Sequence, residues 1–383
     1  MIQCQLKLRL TKAQEATLEV WLFRLTGVWN WAVRKIELDA RDKIYHSKYD
    51  LDAMLVGHCT RLEIPKQVLK CTIFTVHQAW MRCFKKLSKK PRLKGNRNRL
   101  NSIPFSAQIL RPKAARIHVS GLGKVKFHKQ EMPEGKIKCA RIVRRASGWY
   151  YCLFIDAEPN AIPRKASGQI GIDAGFKNLL TASTGEIIEH PRELEAVAQR
   201  LGQAQRARNR KLTARIQERI RNRRKDRNHK ISRQLVSENV LIAFSKDSHN
   251  RIAKRFGKSV ASSGHGQLRS MLTYKSRAGG AVYVEPESRN STKRCSNCGS
   301  LSGPTGLSGL AVRRWTCGCG AEHDRDCNAA INTLIVGLGM SHERAHKTPV
   351  RNPVPPSEVQ VEELKHRKFI PEQAGFRRRK IWK

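Results

Sequence analysis

Gln169-Ile170-Gly171-Ile172-Asp173-Ala174-Gly175 reads as an apolar strand that ends on an aspartate and turns at once through a glycine. Working outward, a second strand is expected over 179–182 and a third after Thr184-Gly185. A strand over 240–244, a helix near 268–277, a Gly279-Gly280 break and a strand over 281–284 follow. Strand, hairpin, helices, strand, helix, strand is the order of a mixed α/β unit. Residues 195–235 read as one long helical stretch whose basic residues include Arg206, Arg208, Arg210, Lys211, Arg215, Arg219, Arg223 and Arg224. Too few apolar residues separate them for a core helix, and too few acids for i,i+4 pairing, so contacts to phosphates are expected.

Downstream stand Cys295-x-x-Cys298, an eighteen-residue gap, and Cys317-x-Cys319, flanked by Gly299, Gly318 and Gly320. Two turns that each present two thiolates can close a tetrahedron around zinc. One residue rather than two between the second pair makes that turn tighter and leaves His323 as an alternative fourth ligand. Directly afterwards comes Asp324-Arg325-Asp326-Cys327-Asn328-Ala329-Ala330, a carboxylate-bearing helix start. Metal-assisted phosphodiester cleavage needs hard carboxylates converging from separate strands and a helix. Asp173 and Asp326 are candidates, although either alone could be a turn residue or a helix N-cap.

The first 160 residues have another character. Residues 12–95 read mainly as helices, opened by the cap signal Thr11-Lys12-Ala13-Gln14 and carrying Leu18, Leu22, Leu25 and Trp29 at helical spacing. Trp21, Trp29 and Trp31 are expected in the core rather than as base-stacking platforms. A further helix over 68–84 runs into a basic loop that includes Lys89, Lys90 and Arg92, built for phosphates or simply solvated. From 101 to 158 the period changes to two, with short strands between Gly and Pro signals, which suggests a small barrel. Residues 159–167, with Pro159 and Pro163, read as a linker, and the Pro- and Arg-rich stretch 341–383 as a basic tail with little power to bury itself.

Composition narrows the partners. The chain has 383 residues, 75 Lys plus Arg against 31 Asp plus Glu, and a formal charge of +44. Such self-repulsion is relieved by a polyanion, and a nucleic acid is the natural one. No amphipathic anchor, secretory signal or spanning apolar run is legible, so an intracellular protein without a membrane partner is expected. Eleven cysteines, seven of them outside any framework spacing, fit a reducing compartment.

Gly171-Ile172-Asp173-Ala174-Gly175, Glu238-Asn239-Val240-Leu241-Ile242, the cysteine ribbon and the run from His323 to Asn332 together resemble the RuvC-type nuclease of the transposon-encoded TnpB family, relatives of type V CRISPR effectors. The resemblance implies a mixed α/β and α+β architecture. A wedge-like β-barrel (1–11 and 96–160) would hold a helical recognition domain (12–95). An RNase H-like domain (166–294 and 320–340) would carry an inserted zinc ribbon (295–319), with the tail 341–383 last. It further implies an RNA-guided DNA endonuclease with guide RNA and target DNA as partners, two catalytic Mg2+ ions, one structural Zn2+, and a cytoplasmic, nucleoid-associated location. Oligomeric state stays open. Base pairing would read sequence while the protein holds backbones.

One departure stands out. The family's central glutamate falls at Ser245, with Lys246 beside it. A serine is a poor magnesium ligand and a lysine repels the ion. Glu287, just past the strand over 281–284, is the expected replacement, as in relatives that moved this glutamate; Asp247 is the weaker candidate. The expected site is therefore Asp173, Glu287 and Asp326 for magnesium, and Cys295, Cys298, Cys317 and Cys319 for zinc. Two other readings remain: a nuclease-inactive RNA-guided repressor, and a transposase that acts on DNA without RNA.

Overall fold

The computed structural model describes residues 2–340 except 96–97, 107–111, 113–114, 159–160, 166, 191–192, 247–256, 258, 261, 288, 306–308 and 310. Asp247 and the tail 341–383 therefore lie outside the described residues. The chain divides into two compact units, 1–159 and 160–383.

In the first unit β1 (Ile2–Arg9) is followed, among the described residues, by the α-helices α1 (Lys12–Arg41), α2 (Lys48–Ala53), α3 (Cys59–Leu62) and α4 (Lys66–Phe84), with a 3-10 turn at Val56–His58, before the second strand. Thr11 and Gln14 form a full capping box at the start of α1, which stabilises such an end by about 1 kcal/mol. β2 (Ser102–Ser106), β3 (Arg116–Val119), β4 (Gly123–Phe127), β5 (Lys136–Arg145) and β6 (Gly148–Asp156) then join β1 in one sheet of order β2-β5-β6-β1-β4-β3. The sheet is a half-barrel, since β2 and β3 stand at its two ends and do not pair with each other. Helices and sheet share a single core: Leu18, Trp21, Leu22 and Leu25 of α1 are buried with Leu6, Ile117, Ile142 and Tyr151 of the strands. Trp21 is core as expected, its indole N–H donating to the carbonyl of Glu63. Trp29 is half-buried against that core and donates to the carbonyl of Arg92.

The second unit is built on a five-stranded sheet of order β11-β10-β7-β8-β9, from β7 (Gly168–Ala174), β8 (Asn178–Ala182), β9 (Ile187–Glu189), β10 (Asn239–Phe244) and β11 (Val282–Val284). β10 runs parallel to both β7 and β11, whereas β7, β8 and β9 form an antiparallel meander. Every residue of β10 is buried, so its sequence is a continuous apolar run rather than an alternation. Among the described residues the unit also holds α5 (Glu193–Arg206), α6 (Arg210–Glu238), α7 (His265–Gly279) and α8 (Arg325–Gly337), with a small hairpin of β12 (Arg314–Thr316) and β13 (Glu322–Asp324) before α8.

Side chains of successive strand residues point to opposite faces, and the two faces of β7 and β10 have different covers. Ile170, Ile172 and Ala174 of β7 and Ile242 and Phe244 of β10 pack with Ile231 and Leu235 of α6 and Leu268 and Leu272 of α7. Leu241 and Ala243 pack on the other side with Leu334 of α8. The expected single helix over 195–235 is two helices. Arg208 adopts a left-handed backbone (φ 51°), and the side chain of Asn209 accepts the N–H of Leu212 to cap α6. An asparagine inside a charged, weakly apolar run is a stop signal that hydrophobic periodicity does not register.

Candidate functional site

Gly171 lets α8 cross β7 closely. A Cβ at this position would lie 2.1 Å from the carbonyl oxygen of Ala330 and 2.7 Å from the Cβ of Leu334. The backbone of α8 therefore runs directly over β7, on the face that Gly171 shares by parity with Asp173. Asp173 is the penultimate residue of β7, and Asp326 is the second residue of α8, about one turn before Ala330. Asp324 is the N-cap of α8: its carboxylate accepts the N–H groups of Asp326 and Cys327, both at 3.0 Å. Asp326 thus sits in the first turn, where the exposed amides favour an anion. Its two carboxylate oxygens lie 3.2 and 3.1 Å from Nη1 of Arg313.

Ser245 stands beside Asp173. Its N–H donates to the carbonyl of Ile172 (2.9 Å), and its hydroxyl accepts the N–H of Ala174 (3.1 Å), so it bonds the two neighbours of Asp173. It is fully buried, and its carbonyl accepts Nη2 of Arg269 at 2.6 Å. Glu287 is exposed and forms an isolated parallel bridge with Lys246, in the same register as the pairing of Ala243 with Val284. Across β10 it lies two strand spacings, about 10 Å, from the row of Ala174. Val284 packs against α8 at Gly337, and residues 285 and 286, between it and Glu287, fall outside the strand.

The four ribbon cysteines converge. Their sulfurs all lie within 4.8 Å of one another, with Cys295 to Cys319 at 3.8 Å and Cys298 to Cys317 at 3.6 Å. Tetrahedral zinc with bonds of about 2.3 Å requires sulfurs about 3.8 Å apart, so the quartet fits such an ion. His323 stays outside it, its Nε2 3.0 Å from Cys295 Sγ and its ring against Trp315. Burial pushes the Cys295 thiol up to about 12. The backbone N–H of Cys319 and the hydroxyls of Ser300 and Ser302 bring Cys317 down to about 5, toward the thiolate that a metal takes. Among the described residues no other group of three His, Cys, Asp or Glu has its ligand atoms so close, and Asp173, Glu287 and Asp326 are spaced more widely as a trio.

The ribbon is tied to α8 by two buried asparagines. Asn328 accepts the N–H of Ser296 (2.9 Å) and donates to the carbonyls of Ser291 and Arg294; Asn332 donates to the same two carbonyls at 2.8 and 2.7 Å. The segment that carries Cys295 is thereby stitched to the helix that carries Asp326. These ties, like the Arg313 contact, were not legible in the sequence, since polar residues on a helix start carry no mark of what they will meet.

Arg206, Arg208, Arg210, Lys211, Arg215, Arg219 and Arg223 are exposed along α5, the turn and α6, while Arg224 is half-buried against Gly264. α6 holds eleven basic residues and three acids, and Glu218 and Asp226 pair within the helix with Arg221 and Lys230. In the first unit Lys89, Lys90 and Arg92 are exposed. The loop is pinned to α1 through Trp29 and through Asn30, which bonds both polar groups of the Lys94 backbone, and Lys90 pairs with Glu37. No described helix is long and apolar enough to cross a membrane.

These features describe a mixed α/β protein with a half-barrel sheet and a four-cysteine site that can hold a metal, and the fold is that of Cas12f1. The chain aligns with the cryo-EM structure of the Cas12f1–sgRNA–target DNA complex at a TM-score of 0.53, 12% identity and coverage of 85% of this chain and 83% of that one. Residues 155–246 match the family model described as "Probable transposase", and residues 265–333 the one described as "Cas12f1-like, TNB domain". A Streptomyces pristinaespiralis protein named "Putative RNA-guided DNA endonuclease" is 35% identical over 227 residues, 55% of this chain and 56% of the relative. The Escherichia coli K12 protein "Putative RNA-guided DNA endonuclease InsQ" is 24% identical over 304 residues, 71% of this chain and 75% of the relative. The match to the Streptomyces protein thus spans just over half of that relative's length. The resemblance to the TnpB family read from the sequence is borne out by these matches.

Proposed function

We propose that the chain is an RNA-guided DNA endonuclease of a transposon, with Asp173, Asp326 and Glu287 holding two magnesium ions in an RNase H-like (RuvC) domain. The observation that supports the reading is the close crossing of α8 over Gly171, two residues before Asp173 on β7 and four residues after Asp326 on α8. Hard carboxylate oxygens from a strand end and a helix start suit magnesium, and the four thiolates suit a structural zinc. When bound, magnesium supplies Lewis-acid charge stabilisation at a phosphodiester. The chain's own residues do the rest. Asp324 orients the first turn of α8, the two asparagines hold that turn to the ribbon, and the α6 arginines neutralise the phosphates of a guide or target strand. Names of the sequence relatives and the Cas12f1 fold support guide RNA and target DNA as partners.

A second reading has its own support. Ser245 fills the place of the central carboxylate as a buried, fully bonded residue, and Glu287 faces a lysine across its bridge. A nuclease-inactive RNA-guided DNA-binding protein that represses transcription would look the same there. A plasmid assay with guide RNA and magnesium separates the two. Cutting is expected, and Asp173→Asn, Asp326→Asn and Glu287→Ala should each reduce it about a hundredfold or more. Target binding by the wild type without cutting rejects the enzyme. Cutting that survives Glu287→Ala rejects that ligand alone.

A further inference from the structure

We propose that Arg313 of the ribbon is a gate on the metal site, holding Asp326 closed to a divalent cation until a phosphate draws the guanidinium away. The inference rests on the reading of Asp326 as a metal ligand. Arg313 lies between Cys298 and Cys317, and its carbonyl accepts the N–H of Arg325 at 2.8 Å, which anchors its backbone one residue from Asp326. From that anchor one nitrogen, Nη1, reaches both carboxylate oxygens. The arginine side chain is 41% exposed and the aspartate 21%, so the guanidinium forms the outer layer of the pair.

A divalent ion at Asp326 must take at least one of the same two oxygens, and a guanidinium at hydrogen-bond distance repels it. Arginine and ion therefore compete for the carboxylate. Once turned away, the guanidinium is a planar fork matched to phosphate, still tethered by its backbone beside the site. A nucleic-acid phosphate that captures Arg313 frees Asp326, so metal and nucleic acid favour each other's binding. The zinc ribbon would in this way report bound nucleic acid to Asp326.

Manganese binding to the zinc-loaded full-length chain tests this, read by electron paramagnetic resonance of the free ion, because thiolates are poor ligands for manganese. Arg313→Gln should tighten manganese binding about three- to tenfold, and Arg313→Lys, which keeps the charge on a shorter stem, less. A single-stranded oligonucleotide should tighten binding to the wild type and shrink the gap to Arg313→Gln. Asp326→Asn in each background identifies the site being read. Equal affinities of wild type and Arg313→Gln, with Asp326 required, overturn the gate and leave the metal reading intact. Absence of any Asp326-dependent manganese binding in either chain rejects the metal reading, and the gate with it. Loss of thermal stability in both Arg313 variants without a change in affinity would make the arginine a staple between ribbon and helix.

Discussion

At the scale of single residues, one position without a side chain shapes the centre of the second unit. Gly171 has an ordinary backbone conformation, so its role is the close approach of α8 rather than a turn. Gly171→Ala would force a Cβ into backbone atoms of Ala330 and Leu334, and the helix must move. A loss of about 2 kcal/mol or more is expected in denaturant unfolding, and, on the proposed reading of Asp326 as a metal ligand, weaker manganese binding, since Asp326 moves with the helix. Lys275 is the opposite case: a buried ammonium that donates to the carbonyl of His229 and the hydroxyl of Ser232, tying α7 to α6. Burial lowers its pKa from 10.5 to about 8. Below about pH 8 the group is charged in both folded and unfolded chains, and the burial penalty is full. Above it the folded chain sheds the proton first, so this residue's contribution to stability rises with pH up to the ordinary lysine range. Relative to wild type, Lys275→Met should show a stability advantage that shrinks between about pH 8 and 10, followed by thermal unfolding across that window.

At the scale of elements, the ribbon and α8 act as one piece. Asn328 and Asn332 bond the segment entering Cys295, and Asp324 ends β13 and caps α8. Removing the metal should loosen more than the ribbon. A strong chelator is expected to release about one zinc per chain and to lower the melting temperature of the second unit, with Cys295→Ser reproducing the effect. Unchanged melting after complete zinc release would mean that the asparagine ties suffice alone. The break between α5 and α6 belongs to this scale too. Periodicity registers how apolar positions recur, and in a stretch this basic it has little to count, so the Asn209 cap decides the boundary.

At the scale of the whole molecule, charge dominates. With a net charge of +44, affinity for nucleic acid should fall steeply with salt, each neutralised phosphate adding about 0.7 to 0.9 to the slope of log K against log salt. Arg215, Arg219 and Arg223 recur every four residues along one exposed stripe of α6. Changing all three to glutamine should reduce the slope for guide RNA by about two, measured by filter binding over a salt series. An unchanged slope would move the phosphate track off α6.

The strands and most helices, the four converging thiolates and the excess of basic charge could all be read from local spacing and composition. Each depends on neighbours a few residues away, as with the apolar run of β7 or the paired cysteines. The tertiary structure alone decided that helices and half-barrel share one core, that Ser245 bonds both neighbours of Asp173, that Glu287 lies beyond β10 opposite Lys246, and that Arg313 covers Asp326. Such pairings join residues far apart in the chain. They are set by how closely two backbones can approach and which strand edge is left for a late segment, and local propensity carries neither.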